Sequence, residues 1–171
     1  AVRIPYNSFC EVSNINGSTY NPNTNKTSYL SPTSIGTYDD VNESIYKSDN
    51  KYKYFSLPKV EDNSTIEYSY KIKYKQPRLL SAYFFQNNLK TELSKFQIKC
   101  KSTTEIGYAL FGQHQDKIVF SKTKDGNFDV YTWEAEDIPE FEPEVGIPSS
   151  LRFLPHIIYY VKSYENNGKK E

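Results

Sequence analysis

Between residues 65 and 75 the chain alternates without a break. Ile66, Tyr68, Tyr70, Ile72 and Tyr74 fall at every second position, with Glu67, Ser69, Lys71, Lys73 and Lys75 between them. Successive side chains of a strand point to opposite faces, whereas a helix would scatter this pattern around its girth. The stretch therefore predicts a strand with one apolar and one wet face, the form expected in an antiparallel sheet. Phe96, Ile98 and Cys100 repeat the pattern, with Gln97, Lys99 and Lys101 turned to water. Two further runs, residues 117–122 and 128–133, flank Asp125-Gly126. That dipeptide tolerates the positive backbone angles of a tight return, so these runs predict a hairpin closed by residues 123–127.

The composition agrees with sheet. Aromatic residues make up 16% of the 171 positions, 16 of them tyrosine, and there is no methionine. Tyrosine and phenylalanine suit pleated, half-buried surfaces. Further strands are predicted at residues 9–12, around 28–30, at 51–57, 79–85, 106–111 and 156–164, the run at 79–85 being apolar enough for a central strand. Residues 88–95 read as one or two helical turns or a loop. Many short strands with turn signals between them predict an all-β, antiparallel sandwich or jelly-roll-like fold. The length suits one domain over residues 1–171, with a loop-rich N-terminal third at 14–50 and an acidic, proline-containing loop at 134–150. The alternative is a closed, lipocalin-like β-barrel. A lipocalin would carry Gly-x-Trp near its first strand, and the single tryptophan here, Trp133, lies far downstream.

Charge and apolar content exclude some partners. Formal net charge is zero and the pI is about 7.0, which argues against nucleic acid engaged by bulk charge. No window approaches a membrane-spanning apolar length. The chain begins with Ala1, which predicts a processed or trimmed chain. Four sequons, at Asn16, Asn25, Asn42 and Asn63, all fall in polar, turn-like stretches of the first 65 residues. They predict a glycosylated, secreted or extracellular protein. In that setting Cys10 and Cys100 are expected to pair and close a loop of about 90 residues, a constraint of about 4–5 kcal/mol on the unfolded chain.

Signals for catalysis are weak. There is no nucleophile elbow, and neither cysteine lies in a thiolate-activating motif. His114 and His156 have no sequence neighbour suited to partner them as a general base. Two separated cysteines and two separated histidines do not make a zinc spacing. The acidic loop lacks the spacing of a dedicated calcium loop. The reading is accordingly a non-enzyme with no cofactor and no metal. Its function would be binding a host or partner protein or a glycan, by tyrosine-rich surface or by the acidic loop. The tyrosines concerned are Tyr46, Tyr52, Tyr54, Tyr68, Tyr70, Tyr74 and Tyr83. The residues singled out for partner binding are Trp133, Glu136, Asp137, Glu140, Glu142 and Glu144. The alternatives are an extracellular carrier of a small apolar ligand inside a barrel, and a structural or storage protein.

Overall fold

The structure is a computed structural model and describes residues 1–39, 49–76, 80, 82–143, 150–166 and 169–170. Among these, every regular element is a β-strand apart from three short 3-10 turns, and no sheet closes into a barrel. The all-β, sandwich-like class expected from the sequence holds. The lipocalin-like barrel is overturned. The chain divides into two compact units, Ala1–Leu79 and Leu80–Glu171, at a place where the sequence shows no boundary. No helix among the described residues is long and apolar enough to cross a membrane.

The first unit contains β1 (Val2–Tyr6), β2 (Cys10–Asn21), β3 (Lys26–Tyr29), β4 (Gly36–Asp39), β5 (Lys51–Phe55) and β6 (Thr65–Tyr74). They form two antiparallel sheets, ordered β1-β5-β4 and β3-β2-β6. The alternating stretch is β6. Its partner β2 occupies much of the region predicted as loop. Asparagine, serine and threonine have low strand preference alone, but β6 offers a ready ladder, and pairing outweighs propensity. Glu11 lies opposite Lys73 and Val12 opposite Ile72. The register shifts between Ser13 and Asn16, where Asn14 takes a left-handed φ of 52°. Ile4 and Phe55 are buried, and Phe55 meets Tyr68 of the other sheet edge-to-face at 6.2 Å.

The second unit contains β7 (Tyr83–Phe84), β8 (Thr91–Lys101), β9 (Thr104–Phe111), β10 (Ile118–Asp125), β11 (Phe128–Ile138), β12 (His156–Asn166) and β13 (Lys169–Lys170). One sheet runs β10-β11-β8; in the other, β12 pairs with β7 and β9 and, at its far end, with β13. Both sheets contribute to one core: Tyr131, Trp133 and Ala135 from β11, Ile157 and Tyr159 from β12, and Ile106 from β9. The expected hairpin is β10–β11. Its loop is shorter than predicted, because Asp125 still pairs with Phe128 and only Gly126-Asn127 remain outside the ladder. Gly126 sits at φ +59°, which glycine adopts without strain.

Several expectations are corrected here. Among the described residues of the apolar run at 79–85, only Tyr83–Phe84 form a strand. An apolar run shows burial, not a ladder: Phe85 is buried in the core yet donates its backbone N–H to Pro155 at the end of a loop. Residues 91–95 are strand, not helix, because β11 pairs with them. The acidic loop begins later than predicted, since Glu134–Ile138 continue β11. Cys10 and Cys100 are free thiols, so the expected disulfide is not formed. The Cys100 Sγ donates to the Thr104 carbonyl at 3.7 Å, and the Cys10 Sγ lies 3.6 Å from the Asn7 Oδ1.

Candidate functional site

Trp133, predicted to meet a partner, is 0% exposed. Alternation along β11 sends it inward with Tyr131 and Ala135, where it packs on Phe96 at 5.7 Å and Tyr108 at 4.9 Å. It is core, and its indole N–H has no acceptor among the described residues. Glu136 is on the outward, wet face of β11 opposite Leu93. Asp137 takes φ 49°, and its carbonyl accepts the Lys117 Nζ. Neither joins Glu140 and Glu142, which line a cleft described below. Glu144 and Asn42 lie outside the described residues. Asn16, Asn25 and Asn63 are exposed on the first unit. The predicted tyrosine cluster separates. Tyr52 and Tyr54 share the β5 face opposite the Tyr38 strand, Tyr68, Tyr70 and Tyr74 line β6, and Tyr83 is stacked on Phe96 in the second unit. Tyr46 is outside the described residues.

The surface that does assemble is the outer face of the β7-β12-β9 sheet. Directly opposed residues of antiparallel strands share a face. Phe84 and Phe111 both oppose His156, Ala109 opposes Ile158, and Gly107 opposes Tyr160. The intervening residues, Ile157, Tyr159 and Val161, point into the core, so parity alone places the first set outside. Phe111 is 43% exposed, Ile158 48% and Tyr160 53%. The His156 ring is stacked between Phe84 at 4.9 Å and Phe111 at 5.4 Å. Its Nδ1 donates to the Leu154 carbonyl at 2.9 Å, which fixes the ring. The Tyr160 ring lies across Gly107, where a Cβ would come within 2.5 Å of it. A Lys162–Glu105 ion pair of 2.8 Å ends the apolar strip.

At its other end the strip runs into the cleft. β7 continues into Gln86, β9 into Gln113 and His114, and β12 is preceded by Phe153 and Pro155. With Glu140, Phe141 and Glu142 these enclose about 270 Å³. Backbone bonds pin the walls: Gln113 N–H to Phe153 O at 2.8 Å, and Phe141 N–H to Asn88 O at 3.0 Å. Gly112 allows the close crossing, because a Cβ there would lie 2.2 Å from the Leu154 carbonyl oxygen.

A second polar cluster sits at the opposite end of β11. Asp129 accepts from Lys122 at 2.6 Å and from the Ser102 hydroxyl at 2.7 Å. The Lys122 and Ser102 hydrogen bonds hold the Asp129 carboxyl below its ordinary range. The bonds to Asp129 and Tyr131 raise Lys122. Burial, then the Asp129 charge, pushes the Cys100 thiol up. This network satisfies itself, as a buried charge requires, and reads as structural. Sequence reasoning missed the β7-β12-β9 face because strand parity locates a face only once pairing is known. The signal was present in 156–164, where Ile158 and Tyr160 break the expected polar alternation.

Among solved structures, the fold resembles that of a Parabacteroides distasonis protein described as a "putative protease", with a TM-score of 0.70 at 17% identity. The likeness covers 95% of this chain and 33% of that one, so the chain spans about a third of the protein it matches. At that identity the likeness shows the fold. No curated protein matches the chain. A family described as a domain of unknown function with a solved structure, DUF3857, matches residues 1–142. That range takes in the first unit and the second as far as Glu142 of the cleft. Covering most of the 171 residues, it makes the chain a member of the DUF3857 family.

Proposed function

We propose that the chain is a non-enzymatic recognition module that holds a polypeptide partner against the outer face of its β7-β12-β9 sheet. The observation that carries this reading is the contiguous apolar strip of exposed Phe111, Ala109, Ile158 and Tyr160, continued by half-buried Phe84. Single exposed apolar residues are ordinary, but a contiguous strip on a rigid sheet suits a protein interface. Aromatic side chains there offer a large contact area at low entropic cost. The similar Parabacteroides protein is about three times as long and is described as a "putative protease". That supports a module that grips polypeptide while chemistry, where there is any, lies elsewhere in a longer protein. The module is a secreted or surface-displayed glycoprotein in this reading, and the exposure of Asn16, Asn25 and Asn63 supports it.

The test is selection from a displayed library of random peptides, followed by affinity measurement on single winners. Peptides with clustered apolar residues should be enriched. Ile158→Asp should weaken them by at least about tenfold, the equivalent of about 1.4 kcal/mol, with the fold intact by circular dichroism. Equal binding by Ile158→Asp would overturn the assignment.

A glycan reading has one observation of its own. Tyr38, Tyr52 and Tyr54 share a face of the β1-β5-β4 sheet, with Tyr38 and Tyr54 well exposed. A glycan array that bound wild type but not Tyr54→Ala would favour it over the polypeptide.

A further inference from the structure

The cleft at the end of the apolar strip has a chemistry of its own. Glu140 and Glu142 are exposed on its rim, and neither has an ion-pair partner among the described residues. Phe141 and Phe153 stack at 6.4 Å on one wall. The deepest polar group is Gln86, only 6% exposed. Its Nε2 donates to the Leu89 carbonyl at 3.0 Å and to the Pro139 carbonyl. Two carbonyls on one side fix the carboxamide, because the flipped amide would set oxygen against oxygen. That leaves the Oε1, which accepts no hydrogen bond among the described residues and is not sealed into the core. A buried carboxamide that lines a cleft and keeps a vacant acceptor among the described residues lacks a donor.

We propose that this cleft takes one cationic side chain, a lysine ammonium or an arginine guanidinium, from a polypeptide partner. Each feature fits that head and no anionic one. The Gln86 Oε1 accepts one N–H, and Glu140 and Glu142 supply charge complementarity. The phenylalanine rings meet the aliphatic stem and favour a cation near their faces. The volume, about 270 Å³, suits a single side chain rather than a whole cofactor. Since the cleft continues the apolar strip, the module would read an apolar segment that ends in a basic residue. Only the assumption that a polypeptide carries the cation rests on the function proposed above.

The test uses small probes: Nα-acetyl-arginine amide and Nα-acetyl-lysine amide, with Nα-acetyl-norleucine amide as the uncharged control. Binding is followed by chemical-shift perturbation of the isotope-labelled chain. The cationic probes should shift Gln86, Gln113 and Phe141 resonances, and the control should not. The double variant Glu140→Gln/Glu142→Gln should weaken the cationic probes about tenfold, and so should raising salt, as expected for partly exposed charges. Equal binding of norleucine amide, no shift with any probe, or affinity indifferent to the double variant would each overturn the proposal. Ile158→Asp should leave probe binding unchanged. If the probes bind as expected while Ile158→Asp has no effect on selected peptides, the strip reading falls and the cleft stands; the reverse result removes the cleft alone.

Discussion

Two glycines of the second unit have positive φ, and their surroundings differ in one respect that can be measured. Gly126 at φ +59° has nothing within 4 Å of where a Cβ would stand. Gly112 at φ +89° would place a Cβ 2.2 Å from the Leu154 carbonyl oxygen, 2.6 Å from its carbon and 2.9 Å from the Pro155 nitrogen. Gly126→Ala should therefore cost only the backbone term for an L-residue at positive φ, about 1–2 kcal/mol. Gly112→Ala bears that term plus a clash with backbone, which has no rotamer to yield. Overpacking of this kind adds about 1–3 kcal/mol. With a urea slope of about 1–2 kcal/mol per molar for a unit of this size, the two midpoints should differ by about 1 M, Gly112→Ala being the lower. Trp133 is the sole tryptophan and lies in the core of this unit, so its fluorescence reports the right transition. Coincidence with far-ultraviolet dichroism checks that the transition is two-state. A Gly112→Ala midpoint no lower than that of Gly126→Ala would refute the crossing geometry, and with it the wall of the cleft.

Other consequences are as direct. Trp133→Ala should lose about 3–5 kcal/mol, whereas Trp133→Phe should lose less than about half of that, because the buried N–H it removes has no acceptor among the described residues; near-ultraviolet dichroism melts decide, and equal losses would show the indole to be bonded. Asp129 is held below its ordinary range in the folded state, so its contribution is present above the unfolded value near 4 and is lost as pH falls through the folded one. Acid unfolding should accordingly be shallower in Asp129→Asn than in wild type below about pH 4, and parallel curves would contradict the Lys122 and Ser102 bonds. Thiol titration of the denatured chain without reductant should find both Cys10 and Cys100 reactive; finding neither would restore the disulfide. Peptide N-glycosidase should lower the mass of chain secreted from a eukaryotic host, and no change would remove the glycoprotein reading.

Sequence periodicity located the strands that have strict alternation, β6 and β8, and the β10–β11 hairpin with its Gly126 turn. These were legible because side-chain parity and turn chemistry are local properties. Of the strand in 10–21 only its start, within the run predicted at 9–12, was legible, since the asparagines and serines beyond become strand only through the β6 ladder. The strand predicted at 79–85 was legible in place but not in length, since the described ladder holds only Tyr83 and Phe84 and apolar character reported the burial of Phe85 without pairing. The partner-binding role expected of Trp133 failed for a related reason. A lone tryptophan is equally suited to a core or a surface, and the inward parity of β11 decides between them.

The amino-acid sequence by itself determined the fold class and the inside and outside of each alternating strand, because both follow from a period of two residues. Only the tertiary structure decided which strands are neighbours. That choice is made by contacts far apart in sequence, and it sets Phe84, Phe111, Ile158 and Tyr160 side by side and brings Gln86 to the same cleft as Glu140 and Glu142. A surface assembled from three strands and two loops has no signature in any one of them.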